Sequence, residues 1–405
     1  MGKDILFLQF AQEDSHDNTL LNLNNGLSNV YNECKKIGDF YWATQFNNQS
    51  EMGKNELPIK KGKVYVSAFY YPHLLQTYYW AQKYPDIEFN VGGPVIRSGN
   101  YSGQDLPVNL NLTNKNAEEV ILNKNTLSKT WGIEYPKEYI KGKKAVRFTY
   151  HLDHRCYWNK CIFCEGYTKD LNKGLNNSID NLKINDNYSN LKKIIRLNIP
   201  SITPKFLKYE LPRLLRRKDI VYDFFLRASK EIIDLLPEVL KNLEEGNGPH
   251  PSQLRFVVGV EFPSYKMLQY MKKGIEKDII LRIIELAKDY HISLGLPFIY
   301  GWNNLSQTDV DEAVEFLHNV EKIGHPNTES VLFKLEVYPN TSLFSSLKGC
   351  LEPLKKYIFD NGEHRVVLNA EQYLLNEEFK NALINSRLNT VLYDSTKLGY
   401  IYTND

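Results

Sequence analysis

Cys156, Cys161 and Cys164 stand in the run Arg155-Cys-Tyr-Trp-Asn-Lys-Cys-Ile-Phe-Cys-Glu165, a C-x4-C-x2-C pattern. Thiolates this close together are metal ligands far more often than packing residues, and three rather than four leave one coordination position for a small molecule. Two chemistries fit the local residues. His151 or His154 would complete a zinc site of three cysteines and one histidine, whereas an iron–sulfur cluster would keep one iron open. The spacing leaves both standing. The other two cysteines, Cys34 and Cys350, are each alone. Cys34 lies at helical spacing with Val30 and Ile37 and is read as core. Five cysteines, three of them bunched, do not form a secreted disulfide framework, so a reducing cytoplasm is expected.

The cysteines must be held by something, and the surrounding chain alternates strand with helix. Val146–Tyr150 is a strand candidate just before them, followed by Ile194–Asn198, Asp223–Arg227, Phe256–Glu261, Ser293–Tyr300 and Val331–Tyr338. Helical periodicity falls between, at Thr203–Leu215, Lys230–Leu243, Ser264–Met271, Lys277–Asp289 and Gln307–Ile323. About six such repeats predict a partial (β/α)6 barrel rather than a complete eight-fold one. Upstream, Asp4–Phe10, Lys63–Phe69 and Ile87–Val91 read as strands, with helices over Asn18–Ile37 and Leu74–Lys83, which implies a Rossmann-like doubly wound sheet. Its third strand ends in Gly92-Gly93-Pro94, where such sheets place their ligand crevice. The fold class is therefore α/β. The expected division is 1–115 for the Rossmann-like domain, 116–143 for a polar linker, 144–345 for the barrel and 346–405 for a small α+β capping region. That last region carries a helix over Asn369–Ser386 and a terminal hairpin.

The order of landmarks resembles the radical S-adenosylmethionine (SAM) superfamily. Phe163 precedes the last cysteine. Phe224-Phe-Leu-Arg-Ala-Ser229, Val257-Val-Gly-Val-Glu261 with Met267–Gly274, Gly295-Leu-Pro-Phe-Ile-Tyr-Gly301 with Gln307-Thr-Asp309, and Lys334-Leu-Glu-Val-Tyr-Pro-Asn-Thr341 resemble its successive barrel segments. The usual spacing is C-x3-C-x2-C, so the first gap here is one residue longer. The resemblance implies that the three cysteines hold a [4Fe–4S] cluster and that SAM chelates the fourth iron. It implies reductive cleavage to a 5′-deoxyadenosyl radical and hydrogen abstraction from an unactivated C–H bond. It places Phe163 near the adenine, and Gly166 and Tyr167 nearest the methionine-amine motif, although Gly-Gly-Glu is absent. Arg227 and Ser229 fall to the SAM carboxylate or ribose, and Glu261 to a ribose or substrate role. His151, Asp153 and His154 flank the cluster and are read as tuning, substrate-binding or packing residues.

The N-terminal run Tyr84-Pro-Asp-Ile-Glu-Phe-Asn-Val-Gly-Gly-Pro94 resembles the cobalamin-binding domain joined to many of these enzymes, with Gly92 and Gly93 at the crevice. The Asp-x-His-x-x-Gly motif is missing. Asp14-Ser-His16 comes too early, and His73 stands in Tyr-Tyr-Pro-His. Cobalamin would then bind without a histidine, or the domain serves as a scaffold. The implied activity is modification of a peptide or natural-product precursor by cobalamin-dependent C-methylation. The alternative is cobalamin-independent epimerisation or cyclisation with Cys350 as hydrogen donor. A flavodoxin- or ferredoxin-type protein would supply the electron. A different class also fits the cysteines, a zinc-stabilised binding protein without catalysis. Net charge is +2 and no apolar run spans a bilayer, so neither nucleic acid nor membrane is an expected partner. The basic stretch Arg213-Leu-Leu-Arg-Arg-Lys218 reads as a solvated helix end or a seat for an acidic peptide.

Overall fold

The computed structural model describes residues 4–13, 20–23, 37–44, 56–68, 71–93, 96, 105–113, 141–151, 156–164, 188, 190–339, 341–353, 364–394 and 399–402. The chain divides into two compact units, 1–149 with 183–193 and 353–363, and 150–182 with 194–352 and 364–405.

In the first unit, β1 (Ile5–Glu13) pairs in parallel with β3 (Asp39–Thr44) and β4 (Gly62–Ser67), β4 with β5 (Ile87–Gly92), and β5 with β6 (Leu110–Leu112). Helix α1 (Tyr71–Lys83) connects β4 to β5, the crossover that a parallel pair requires. Ile87, Phe89 and Val91 of β5 are fully buried, while Glu88 and Asn90 between them are partly exposed. This period of two buries one face in a core with Leu6, Leu8, Phe10, Leu74, Leu75 and Trp80. Two expectations change here. Leu20–Leu23 is a strand, β2, not the start of a helix; it pairs antiparallel with Gln12–Glu13 and parallel with Ala145–Phe148 of β7 (Ala145–His151). So short an apolar run has no period of its own, and its two strand partners decide it. The aromatic stretch Asp39-Phe-Tyr-Trp-Ala-Thr44 supplies a strand that the helical reading of its neighbourhood had hidden.

His73 lies in the core of this unit. It is fully buried and stacks on Phe10 at 4.2 Å. Burial holds its imidazole neutral and lowers its pKa from 6.5 to about 3. Folding therefore favours the neutral ring, and the stability it confers is complete above pH 6.5 and drains away as pH falls toward 3. His73→Phe is expected to lose less stability than wild type on acidification, by on the order of 4 kcal/mol over that window. Parallel urea titrations of the two proteins that keep a constant gap from pH 7 to 4 would contradict this.

The second unit is a curled parallel sheet, the partial barrel. Its strand order is β8 (Lys192–Asn198), β9 (Ile220–Leu226), β10 (Leu254–Val258), β11 (Ser293–Tyr300) and β12 (Thr328–Lys334). A short ribbon follows, with β13 (Glu336–Val337), β14 (Leu351–Pro353) and β15 (His364–Val366). The terminal hairpin β16 (Asn389–Asp394) and β17 (Gly399–Tyr402) forms, and β16 also joins β12 in parallel, so the chain's end extends the barrel sheet. Helices α2 (Lys230–Glu244), α3 (Tyr265–Tyr270), α4 (Lys277–Asp289), α5 (Gln307–Ile323), α6 (Ser342–Ser346) and α7 (Ala370–Asn385) accompany the strands. Tyr222, Phe224, Leu226, Leu254, Phe256 and Phe298 are buried on the helix-covered face, where Phe224 meets Phe206 and Phe298 meets Phe379 of α7.

The opposite, concave face carries charge. Arg196 of β8 donates from Nε to Asp223 of β9 at 2.9 Å, and Arg255 of β10 reaches Asp223 at 3.4 Å and Glu329 of β12 at 2.9 Å. The Asp223 side chain has no exposed surface. Arg255 passes over β11 at Gly295, where an added Cβ would lie 3.0 Å from its guanidinium. A side chain at that point would press on the ladder and shift the guanidinium.

The basic stretch resolves into local pairing. Arg213 meets Glu210, Arg217 meets Asp219, and Arg216 donates to the carbonyls of Leu243 and Gly248 at the end of α2. These groups satisfy the carbonyls that a helix leaves open at its C-terminus and the neighbouring carboxylates.

Candidate active site

The cysteine loop sits on the end of α3. Met271 O accepts from Ile162 N at 3.1 Å, and Lys272 O accepts from the Trp158 indole at 2.8 Å. Lys273 O accepts from Arg227 at 2.9 Å, and Gly274 O accepts from the same guanidinium. Four successive carbonyls past a helix C-terminus thus find donors in the loop and in the residue after β9, which anchors the loop. Gly274 has φ +59, and a Cβ there would lie 2.1 Å from the Trp158 ring and 2.7 Å from Arg227. From the other side, Ile162 O accepts from Leu343 N of α6.

Cys156 and Cys161 are partly buried and Cys164 is exposed. Burial pushes the Cys161 thiol up to about 11, Lys273 opposes the rise, and Cys164 and Cys156 add to it. Ionising Cys161 is favoured by positive charge beside it. Tetrahedral zinc requires its thiolates to converge on one centre with a fourth ligand, whereas a [4Fe–4S] cluster gives each cysteine a different iron and leaves one iron open. Three thiols, one of them exposed, suit the second arrangement.

Beside the loop, Lys273 pairs with Glu261 at 2.6 Å, with both side chains nearly buried. Glu261 has φ +64, a left-handed conformation that a glutamate adopts at a cost, and it bridges to β11 through hydrogen bonds with Pro297 O and Ile299 N. Gly259 leaves room for the pair, since a Cβ there would lie 2.6 Å from the Glu261 carboxylate and 2.8 Å from the Lys273 ammonium. The Lys273 ammonium also lies 5.8 Å from the Phe163 ring centroid, and Phe163 meets Trp302 edge-on at 6.0 Å. Trp302 is held by the C-terminal helix. Asn376 accepts from Gly301 N and Trp302 N and donates to Trp302 O, while Gln372 bonds both backbone groups of Leu305. The Gln307-Thr-Asp309 segment is a helix-capping device: the Asp309 carboxylate accepts from Ser264, Ser306 and Lys266, tying the starts of α3 and α5 together.

Polar atoms just after β9 lack partners. Arg227 Nε and Ser229 Oγ are buried with no hydrogen-bond acceptor or donor opposite. Ser229 is the N-cap of α2, yet its hydroxyl does not cap the helix. Ser201 Oγ, after β8, is likewise buried and unpaired. Buried polar atoms are usually paired, so these three can take a ligand or a water as partner.

No family model and no curated protein matches this sequence. Solved structures do match. OxsB, a cobalamin-dependent SAM radical enzyme seen with aqua-cobalamin, superposes with a TM-score of 0.60 at 14% identity, over 94% of this chain and 66% of OxsB. TsrM from Kitasatospora setae, a radical SAM methyltransferase with cobalamin and a [4Fe–4S] cluster bound, gives 0.56 at 11% identity over 96% of this chain and 87% of its own. TsrM with tryptophan and the SAM analogue aza-SAM gives 0.60 at 10% identity, over 97% and 92%. The chain has the fold of these radical SAM enzymes.

Within the radical SAM fold, the three cysteines, Phe163, Arg227, Ser229 and Glu261 are all residues of the second unit, and hydrogen-bond and ring contacts link the cysteine loop to Arg227, Lys273 and Trp302. Sequence reading missed Lys273, Trp302 and Ser201. Lys273 was within a quoted motif, and its pairing with Glu261 was the signal left unused. Gly166, Tyr167, Asp153 and His154 lie outside the described residues, as does the His151 side chain. Gly92 ends β5 in the first unit and Gly93 follows it. Gly93 has φ +119, and a Cβ there would meet Ala68 O at 2.3 Å, so the two strand ends approach as only glycine permits. Cys350 is exposed; its backbone bonds Leu347 and Val367. No helix among the described residues is long and apolar enough to cross a membrane.

Proposed function

We propose that this chain is a cobalamin-dependent radical SAM methyltransferase that acts on an unactivated carbon of a peptide or natural-product precursor. The observation that carries the reading is the cysteine loop seated on the carbonyls of 271–274, beside two buried donors that have no partner. Cys156, Cys161 and Cys164 would hold a [4Fe–4S] cluster and leave its fourth iron to SAM. Arg227 Nε and Ser229 Oγ would bind the oxygens of SAM, and the Glu261–Lys273 pair would fix the floor beneath it. The first unit would hold cobalamin at the Gly92–Gly93 edge. Its described histidine, His73, is a core residue, so the corrin would have no histidine ligand from it. Together the bound groups supply reductive cleavage of SAM and carriage of its methyl group. The residues supply orientation and exclusion of water. The domain division at 115 and 143 and the cytoplasmic location remain part of this proposal.

The test is direct. Protein from cells given hydroxocobalamin is expected to show a corrin spectrum, hold about four irons per chain and pass a deuterated methyl group from SAM to product. Replacing any one of the three cysteines by Ala should remove iron and SAM cleavage together. One tightly bound zinc with no SAM cleavage would overturn the reading. Solvent deuterium in the product, without methyl transfer, would favour epimerisation with Cys350 as donor.

A further inference from the structure

We propose that the outer surface of the cysteine loop, made by Tyr157, Trp158, Lys160 and Lys272, is the docking face for an acidic one-electron carrier protein. The inference rests on the reading that the cysteines hold an iron–sulfur cluster. Trp158 is flanked by positive charge. The Lys160 ammonium lies 4.6 Å and the Arg227 guanidinium 3.8 Å from its ring centroid, and its indole N–H is fixed on Lys272 O. Tyr157, Asn159, Lys160 and Lys272 are exposed. Lys160 and Lys272 make no ion pair among the described residues, whereas Lys266, Lys273 and Lys277 nearby are each matched by a carboxylate.

Unmatched lysines around a rigidly held aromatic ring, in and beside the loop that carries the three thiols, form a patch with a defined electrostatic complement. A cluster reduced from outside needs its donor within a short distance, and Cys164 is the most exposed of the three ligands. Redox encounters are small, burying less than about 1,200 Å², so a patch of this size suffices. Positive charge at the rim steers an acidic partner and chiefly sets its association rate. The carrier loses one electron and is oxidised; the cluster gains it; no bond forms or breaks.

The experiment uses the reconstituted full-length protein and flavodoxin as probe. Lys160→Glu with Lys272→Glu is expected to weaken flavodoxin binding about tenfold or more at low ionic strength and to flatten its salt dependence. Reduction of the cluster by flavodoxin hydroquinone should slow in step, while reduction by dithionite and dithionite-driven SAM cleavage stay at wild-type rates. Lys160→Gln with Lys272→Gln gives a milder version should the reversal disturb folding. Equal affinity, salt dependence and flavodoxin-driven rates in an iron-loaded variant would overturn the docking face alone. Wild-type protein that takes up no iron would overturn the cluster reading, and the docking face with it.

Discussion

Asp223→Ala is expected to destabilise the barrel by about 3–5 kcal/mol, measured as a lower urea midpoint at unchanged slope. The Asp223 carboxylate has no exposed surface and is shared by Arg196 and Arg255. Removing it leaves Arg196 without its carboxylate and leaves the mostly buried Arg255 with only the more exposed Glu329 as counter-charge. The cost comes from stranding charge, not from losing an attraction, and this gives a second expectation. Asp223→Ala combined with Arg196→Met and Arg255→Met should recover much of the loss, because the stranded charges go with their partner. A single-variant loss below about 1 kcal/mol would show the ladder to be solvated like a surface pair.

Gly274→Val is expected to empty the cysteine loop of iron several-fold while leaving the chain folded. The added Cβ would overlap the Trp158 ring at 2.1 and 2.4 Å and Arg227 at 2.7 Å, and φ +59 adds backbone strain. The backbone of 271–274 is committed to four hydrogen bonds, so the movable partner is Trp158, and it takes the cysteines beside it along. Gly324→Val separates the two causes. Gly324 has φ +63, but its nearest neighbour is a carbonyl 3.6 Å from the added Cβ. That variant should lose about 1–3 kcal/mol of stability from strain and keep its iron. Equal iron in both variants after anaerobic reconstitution would show that Gly274 does not seat the loop.

Much of this architecture was legible in the residues. The strands from 192 to 334 and helices α2, α4 and α5 follow periodicities of two and 3.6, because each element buries one face under a neighbour. The cysteine triplet was legible because thiols at that spacing have few other uses. What escaped has physical reasons. Leu20–Leu23 became a strand through partners distant in the chain, and β16 joined the barrel by a pairing no local pattern encodes. Thr203–Leu215 read as one helix; it is a π-helical turn at Phe206–Glu210 followed by a 3-10 turn containing Pro212, whose ring cannot continue an α-helix. At the site, Glu261 and Lys273 were visible singly, yet their ion pair depends on Gly259 between them, and a glycine shows its purpose only once its neighbours are in place.

Asn376 and Gln372 give the C-terminal helix an influence over the order in which this protein can be made. The cysteines leave the ribosome long before residues 370–394, yet the backbone of 301–305 lacks the Asn376 and Gln372 bonds until α7 arrives, and β12 has no outer neighbour until β16 does. A nascent chain therefore carries three unprotected thiols through most of its synthesis, with the wall that backs Phe163 still unbuilt. Any cluster that these thiols hold, as proposed, is therefore expected to be loaded after α7 has docked.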